Sequence, residues 1–557
     1  MSIGIARLVR SRVRSAAMRR RHGMVMVLGL ALGLLGGARA EKKNDAGLPS
    51  IVLGAHRPAL LVDGKPFRMR AGQLGNSSAS TLAEVKESFS HLVALGLNTV
   101  LVPVTWELIE PQEGKFAFDL VAGMIAEARK HDLRVVPLWF GAYKNSMSSY
   151  APAWVKRDVA RFPRAELIGD KPIESLSAFS RAVLDADRKA FAALMREVKR
   201  LDPNGHTVIL VQVENNMAGV NEPKDSGALA SAAWKDEVPA ALLAELLRVP
   251  GDFHPGVLAA WGKKGKPASG SWSKVFAPSP WVAELFTAWH YARFVDEVVK
   301  AGKAEHPLPM FVNATPNRPG KFPGQYPSGG PVPHLLATWR LGAPSLDVIA
   351  PEVYFGKFDE GCGKYKWRQN PLLVPGISLD AAVGVHALYA FGQGALGFSP
   401  FAIEKAGDPE AAGLKAAYAL VASLDAFGEV PAVGVLVDKD IPTQRLTLGG
   451  QLLEVNHEFT FPVIRKPGPN DPWPISGGLI LATGPEEFLV IGRGLLVTFA
   501  PETGKGQSGF LSVDEGQLSK GKFVPLRRLN GDETDQGRHV RLPGDGFGVQ
   551  KVVLYRY

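Results

Sequence analysis

The chain has 557 residues, of which 46% are hydrophobic, 9% aromatic and 21% charged. This length and composition are sufficient for at least one large hydrophobic core and exclude an intrinsically disordered chain. Cys362 is the only cysteine, which excludes an intramolecular disulfide and a cysteine-based metal site. We interpret Cys362 as a partly buried structural thiol.

The first forty residues differ in character from the rest of the chain. Residues 1–40 contain eight arginines and no acid, an apolar run from Met24 to Gly37, and the small residues Ala38 and Ala40 at the end. This order predicts a secretory signal peptide, because the apolar run is shorter than the ~20 residues that a membrane span needs. We expect export to the periplasm or the extracellular space, with no membrane span in the mature chain.

The formal net charge of +10 belongs mostly to this N-terminal segment, because its eight arginines face no acids. The remaining chain carries only a small positive charge. A nucleic-acid partner is therefore not expected, since the mature protein lacks the basic surface that such a partner requires.

From residue 58 onward, short apolar strands alternate with helical stretches, which is typical of βα units around a parallel sheet. Eight strands within residues 41–430 predict an α/β fold, a (β/α)8 TIM barrel. The alternative is an open doubly wound sheet, but no glycine-rich phosphate fingerprint follows an early strand. The predicted barrel strands are Phe67–Gln73, Asn98–Trp106, Leu133–Phe140, Thr207–Asn215, Pro309–Ala314, Leu346–Tyr354, Pro371–Ser378 and Ala395–Phe401.

Helical stretches separate these strands, and one long insertion interrupts the pattern. The insertion, about residues 220–277, carries Trp234, Trp261 and Trp272, which either stack on a glycan or fix the insertion to the barrel. Residues 431–557 read as short strands with recurrent glycine turns, which predicts a C-terminal all-β, sandwich-like domain. The predicted helices are Leu82–Leu95, Leu120–His131, Arg188–Leu201, Trp281–Ala301 and Ala411–Phe427.

Polar and aromatic residues follow the predicted strands, where TIM barrels keep their functional sites. Aromatic rings suit the apolar faces of sugars, and amides and carboxylates suit their hydroxyls. Cleavage of a glycosidic bond ordinarily needs two carboxylates. No metalloprotease HExxH motif and no serine-esterase Gly-x-Ser-x-Gly elbow is present. The candidates at the strand ends are Gln73, Trp106, Glu107, Glu110, Trp139, Lys144, Asn145, Glu214, Asn215, Asn216, Glu352, Tyr354, Gly376, Ser399 and Phe401.

Several segments carry a family resemblance. LGLNTVLVPVTWELIEPQEGKFAFD (95–119) resembles the second-strand signature of family 35 glycoside hydrolases, and VQVENN (211–216) resembles their fourth-strand motif. LWFGAYKNS (138–146), IAPEVYF (349–355) and GALGFSPFAIE (394–404) are similar to a bacterial branch with a C-terminal domain of uncharacterised function. The resemblance implies a β-galactosidase-like barrel enzyme with a carbohydrate ligand and no cofactor.

The sequence departs from this family at both catalytic positions. The resemblance places the family's acid/base at Asn216 and its nucleophile at Gly376. An asparagine cannot donate a proton as a carboxylic acid does, and a glycine has no side chain to attack an anomeric carbon. Gln73 and Gly75 also replace an acidic residue and a histidine that relatives carry on the first strand.

Two hypotheses follow. In the first, the protein is an exported β-galactosidase-like hydrolase that uses Glu214 and Glu352 as a displaced catalytic pair, although Glu214 also suits a supporting role beneath the site. In the second, it is a degenerate hydrolase that binds carbohydrate without cleaving it. The oligomeric state is left open, and no metal site is expected. The predicted substrate-binding residues are Asn215, Asn216, Trp106, Trp139, Lys144, Asn145 and Tyr354.

Overall fold

The computed structural model describes residues 47–557 apart from 55–56, 315–316, 318–319, 463, 465–467 and 469–470. The predicted signal peptide, 1–40, lies outside the described residues. The described chain begins with a small antiparallel sheet that the sequence did not predict, formed by Ser50–Leu53, Pro58–Val62 and Lys65–Phe67. Its Leu60 and Val62 join the apolar cluster inside the barrel.

Eight parallel strands form the barrel, which confirms the predicted (β/α)8 fold. They pair in chain order, and the ring closes where Gly397 pairs with Met69 and Phe398 forms a bridge to Val374. The strands are Met69–Gln73, Thr99–Thr105, Arg134–Lys144, Val211–Asn215, Met310–Ala314, Val348–Val353, Gly376–Ile377 and Gly397–Phe398, called here the first to eighth barrel strands.

The seventh and eighth barrel strands are much shorter than predicted. Each has only two paired residues, whereas the sequence indicates about seven. Pro375 precedes the seventh strand and Pro400 lies just beyond the eighth. Proline has no backbone N–H to donate to a sheet, so these positions limit the regular pairing.

The predicted helices are all present, with shifted ends. The helix Arg181–Leu201 begins seven residues before its predicted start, because the Ser180 side chain accepts a hydrogen bond from the Val183 N–H and caps it. The longer helices are Leu82–Ala94, Asp119–Lys130, Arg181–Leu201, Ala240–Arg248, Pro255–Gly262, Pro280–Glu305, Leu336–Gly342, Phe358–Tyr365, Val383–Gly392 and Asp408–Leu424. The shorter helices are Trp106–Ile109, Ala153–Arg157, Ala228–Ala233 and Trp272–Val275. A hairpin, Arg164–Leu167 with Lys171–Leu176, follows the third barrel strand.

The tryptophans of the insertion hold it against the barrel. Trp261 and Trp272 are fully buried. The Trp272 ring stacks on Trp234 at 5.8 Å between centroids and meets Phe286 of the helix Pro280–Glu305 edge-on at 5.2 Å. The rings of Trp261 and Trp272 belong to the hydrophobic core and that of Trp234 packs against it, which favours the fixing role.

Residues after 431 form two antiparallel sheets, as the predicted all-β domain requires. The strands include two long ones, Ser508–Ser519 and Lys522–Leu529, and a short one, Val540–Leu542. One sheet contains Ala432–Val437, Ser476–Gly484, Glu487–Arg493, Gly548–Arg556, Ser508–Ser519 and Lys522–Leu529 in spatial order. The other contains Thr443–Leu448, Gln451–His457, Leu495–Pro501 and Val540–Leu542.

The helix Val383–Gly392 joins the barrel to this β-domain. All ten of its residues are buried, as expected for a helix that is apolar on every side. The Gln393 side chain donates a hydrogen bond to the Gly434 carbonyl at 3.0 Å. A Cβ on Gly434 would lie 2.2 Å from the Tyr389 carbonyl oxygen, so helix and strand meet backbone to backbone. The boundary at 430/431 remains a prediction. Across the described ranges, no helix is both long and apolar enough to cross a membrane.

Candidate functional site

A connected group of polar side chains lies at the carboxyl ends of the third to sixth barrel strands. We call it the Glu352 network, and it consists of Lys144, Asn145, Asn215, Asn216, Asn313 and Glu352. These residues come from four adjacent strands or their following loops, and parallel strands bring such positions to one rim of the barrel. Five of the six were predicted from the sequence, and the structure brings those five together.

Glu352 is the carboxylate of this network. Its Oε2 accepts a hydrogen bond from Asn216 Nδ2 at 2.7 Å, and its Oε1 accepts one from Asn313 Nδ2 at 2.8 Å. Asn313 Oδ1 in turn accepts from the Asn216 backbone N–H at 2.9 Å. Only 4% of Glu352 is exposed, so two amides fix a carboxylate at the floor of the site.

Lys144 adds a buried ammonium group. Its Nζ donates to Asn215 Oδ1 at 2.9 Å and to Asn145 Oδ1 at 3.0 Å, and it lies 5.0 Å from the centroid of the Phe140 ring. Burial lowers the pKa of Lys144 to about 8, although the negative charge of Glu352 acts in the opposite direction. Lys144 is therefore mostly charged at pH 7 and loses its charge as the pH rises through about 8.

The end of the fourth barrel strand has an unusual backbone. Glu214 has φ 58° and Asn216 has φ 47°, both in the left-handed region. Such a conformation costs about 1–3 kcal/mol for a residue other than glycine and is often found at functional sites. These two left-handed backbone conformations set the positions of Asn215 and Asn216 at the rim. Asn215 Nδ2 is buried and has no hydrogen-bond partner within the described part of the chain.

Glu214 lies beneath the network, and its carboxylate points to other partners. Its Oε2 accepts from the Tyr143 N–H at 2.7 Å. Burial, together with the neighbouring carboxyl of Asp187, raises the pKa of Glu214 well above its ordinary value. Asp187 accepts from Trp139 Nε1 at 2.8 Å and from the Ala142 N–H at 3.2 Å. These bonds give Glu214 the supporting role that the sequence left open.

Gly141 allows these groups to converge. A Cβ at this position would lie 2.2 Å from Trp139 Nε1, 2.6 Å from Asp187 Oδ1 and 2.7 Å from Glu214 Oε1. Polar atoms of Trp139, Asp187 and Glu214 thus occupy the space that a side chain at position 141 would need.

Trp106 and Trp139, both predicted to bind substrate, are not part of the network. Along the third strand, Leu138 and Phe140 point into the barrel while Trp139 points out towards the surrounding helices, because side chains alternate along a strand. Trp106 is also fully buried, and its Nε1 donates to Glu110 Oε2 at 2.9 Å. Both indoles pack in the outer core, with their N–H groups already bonded.

Glu110 makes hydrogen bonds within the barrel rim. Beyond its bond from Trp106, it accepts from the Gly114 N–H at 2.7 Å, and its backbone carbonyl accepts from Trp154 Nε1 at 3.1 Å. Glu107 lines a separate small cavity beside Thr105 and Tyr150. The structure therefore separates these second-strand acids from Glu352.

Gly376 and Tyr354 lie beside Glu352. Glu352 pairs with Gly376 across the sixth and seventh strands. A Cβ on Gly376 would lie 2.6 Å from Tyr354 Oη, 3.0 Å from Glu352 Cγ and 3.1 Å from Glu352 Oε1. The Tyr354 hydroxyl and the Glu352 carboxylate thus occupy the space that a side chain at position 376 would need. Burial raises the pKa of Tyr354, which keeps its hydroxyl protonated.

Two contributing residues were missed in the sequence. Asn313 ends the fifth strand, and the same strand-end rule that found its neighbours could have found it. Asp187 lies on the helix Arg181–Leu201, where a buried acid gives no local signal. Among the residues that the structure describes, no group of three or more acidic, histidine or cysteine side chains could hold a metal ion.

Comparison with known proteins finds matches to two parts of the chain. Residues 59–243, which include the first four barrel strands, match the model of glycosyl hydrolases family 35. Residues 414–541 match a domain of unknown function, DUF5597. A β-galactosidase from Xanthomonas manihotis is 31% identical over 195 residues, which cover 34% of this chain. The match spans only 29% of the length of that relative.

Two solved structures are also similar. The cold-adapted β-galactosidase from Rahnella sp. R3 shares 13% identity, with 64% of this chain and 56% of that chain covered and a TM-score of 0.45. The β-galactosidase from the psychrophilic Marinomonas ef1 has the same identity and TM-score, with 64% and 60% covered.

The fold defines the class, a (β/α)8-barrel protein with an added β-domain. Within that class, residues 59–243 are similar to family 35 glycosyl hydrolases and residues 414–541 are similar to DUF5597 domains. Asn216 lies inside the matched range, whereas Glu352 and Gly376 lie beyond it.

Proposed function

We propose that this protein binds β-linked galactosides or related oligosaccharides at the Glu352 network and does not cleave them by the two-carboxylate reaction of its family. The sugar class follows from the family match and from the β-galactosidase relative. Carboxylate, amide and ammonium groups suit the hydroxyls of a sugar. Asn215 Nδ2, buried without a partner in the described chain, is a donor available to such a ligand.

The observation that carries this proposal is the contact between Asn216 and Glu352. A glycosidase needs one carboxyl group that protonates the leaving group and a second that attacks the sugar or activates water. Here Asn216 Nδ2 donates a hydrogen bond to Glu352 Oε2 at 2.7 Å. The group that faces the Glu352 carboxylate is therefore an amide, which has no acidic proton to donate.

A second candidate function is hydrolysis with Glu352 as a relocated nucleophile. It is favoured by the position of the Glu352 carboxylate, which takes up the space beside Gly376 where the family resemblance places the nucleophile. This reaction still needs a proton donor for the leaving group. Glu214, the other half of the pair predicted from the sequence, is engaged with Tyr143 and the Asp187 carboxyl beneath the site.

Binding and turnover of galactosides distinguish the two functions. We expect the mature protein to bind methyl β-galactoside in calorimetry and to release no phenol from an aryl β-galactoside. Glu352→Gln is expected to weaken binding about tenfold, because it removes the charge from the central hydrogen bonds. Glu533→Gln, an exposed acid of the β-domain, is the matched control and should leave affinity unchanged.

The same assays can reject the proposal. Turnover by the unaltered protein that disappears in Glu352→Gln would establish the relocated nucleophile instead. Turnover that appears only in Asn216→Glu would support the proposal, because it would show that the unaltered protein fails to cleave for want of a proton donor at this position.

We also propose that the protein is exported, on the basis of the arginine-rich and apolar order of residues 1–40. Expression of the full chain in a bacterial host is expected to yield a periplasmic or secreted protein whose N-terminus is Glu41. An intact Met1 on the cell-associated protein would contradict export.

A further inference from the structure

A cavity of about 290 Å³ lies at the junction of the barrel and the β-domain. Loops after the sixth and seventh barrel strands form one side, and the strand Ala432–Val437 with its following turn forms the other. The residues that carry the argument are Tyr354, Asp359, Asp380, His386, Asp438 and Asp440.

His386 is an unusual lining residue. It lies on the central helix Val383–Gly392, is 6% exposed, and packs against the Phe358 ring at 4.5 Å between centroids. Its Nδ1 is buried and has no hydrogen-bond partner in the described part of the chain. Burial lowers the pKa of His386 to about 4, so the ring is neutral at pH 7. Buried polar atoms are nearly always hydrogen-bonded, so an unpaired one beside a cavity marks a position where a water or a ligand can supply the missing hydrogen bond.

The cavity is also strongly anionic. Four aspartates line it against a single lysine, Lys357, among the described lining residues. Asp380 Oδ1 accepts from the Ala382 N–H at 2.9 Å, and Asp438 Oδ1 accepts from the Ile441 N–H at 2.7 Å. These bonds hold two of the carboxylates in place at the cavity wall. A concave surface of one charge sign attracts ligands of the opposite sign.

Tyr354 connects this cavity to the Glu352 network. It lines the cavity, yet its Oη lies 2.6 Å from where a Cβ on Gly376 would be, beside Glu352. Tyr354 therefore belongs both to the lining of the junction cavity and to the immediate surroundings of Glu352.

We propose that the junction cavity is a second sugar subsite, which takes an amine-bearing sugar unit attached to the galactoside that the Glu352 network holds. The position beside the network rests on the proposed function, whereas the preference for an amine rests on the aspartates and His386. This subsite gives the β-domain a role in recognition, because Asp438 and Asp440 belong to that domain.

Calorimetry with three monosaccharide probes tests the subsite. The probes are methyl β-glucosaminide, its N-acetylated form and methyl β-galactoside, used at about pH 6 so that the free amine is charged. We expect the amine to bind about fivefold tighter than its acetylated form, as about 1 kcal/mol from charge pairing implies. The double change Asp359→Asn with Asp440→Asn should remove that difference. Asp132→Asn, an exposed acid outside the cavity, should keep it.

Ile441→Trp provides a second variant, which fills the cavity from the β-domain side without a change of charge. It is expected to weaken binding of the glucosaminide while methyl β-galactoside binds as before. Equal affinity for the amine and its acetylated form, or binding that the aspartate and Ile441 variants leave unchanged, would overturn the subsite. If the unaltered protein binds the glucosaminide but not methyl β-galactoside, the proposed function is overturned, whereas the amine preference of the junction cavity is not.

Discussion

At the scale of single residues, polar side chains pack at both positions where the family resemblance places the reactive groups. Asn216, at the first position, donates a hydrogen bond to Glu352 at 2.7 Å. At Gly376, the second position, Tyr354 Oη and the Glu352 carboxylate occupy the space that a side chain would need. A side chain introduced at position 376 would displace both groups.

Glu214 provides a prediction about pH and stability. Its folded-state pKa is raised, so between its ordinary value and the raised one the folded state holds a proton that the unfolded state has released. Stability from this residue is therefore full below about pH 4.5 and falls as the pH rises above it. Glu214→Gln removes this titration, and its amide can still donate to Asp187.

We expect the unfolding free energy of the unaltered protein to fall relative to that of Glu214→Gln between about pH 5 and 8. Urea unfolding followed by tryptophan fluorescence at both pH values measures it. Glu87→Gln, on the exposed face of the helix Leu82–Ala94, should follow the unaltered protein. Parallel curves for all three proteins would show that Glu214 ionises normally in the fold.

At the scale of elements, one helix determines how the two domains meet. The helix Val383–Gly392 is buried on all sides, with the barrel on one side and the six-stranded sheet on the other. Its contact with the strand Ala432–Val437 has no room for side chains at two glycines. A Cβ on Gly392 would lie 2.6 Å from the Gly434 nitrogen, and a Cβ on Gly434 would lie 2.2 Å from the Tyr389 carbonyl oxygen.

Gly434→Ala is therefore expected to destabilise the protein by about 1–3 kcal/mol, because the added methyl group forces the backbones apart. Thermal unfolding checks this as a lowered midpoint. Gly413→Ala is the matched control, since a Cβ there meets no atom within 4 Å and alanine favours the surrounding helix Asp408–Leu424. It should leave the midpoint unchanged or raise it. A Gly434→Ala protein as stable as the control would show that the helix and sheet can separate without cost.

At the scale of the whole molecule, the described barrel and β-domain form one compact unit. Apolar residues from the six-stranded sheet, among them Leu479, Leu489 and Ile491, belong to the same core cluster as the barrel helices. The β-domain therefore covers an apolar flank of the barrel and also supplies one wall of the junction cavity. At the flank of the barrel the role of the β-domain is structural. At the junction cavity, in our proposal, its role is recognition.

The sequence by itself determined the architecture. The spacing of apolar residues and the length of the apolar runs identified eight barrel strands and the β-rich C-terminal region. Apolar runs of strand length that alternate with helices are compatible with few folds. The family motifs and the strand-end rule also located Lys144, Asn145, Asn215, Asn216 and Glu352, which the structure joins by hydrogen bonds. These signals are local, so they can be recognised from the sequence alone.

Only the tertiary structure decided which strand-end residues face the site. Trp139 and Glu214 both lie in segments that match the family. Trp139 nevertheless points into the outer core, and Glu214 points to the carboxyl of Asp187 on the helix Arg181–Leu201. The positive φ of Glu214 and Asn216, and the space at Gly376 that Glu352 and Tyr354 fill, depend on atoms from distant strands. Direction, burial and pairing of side chains arise from packing between elements, and no spacing within one segment specifies them.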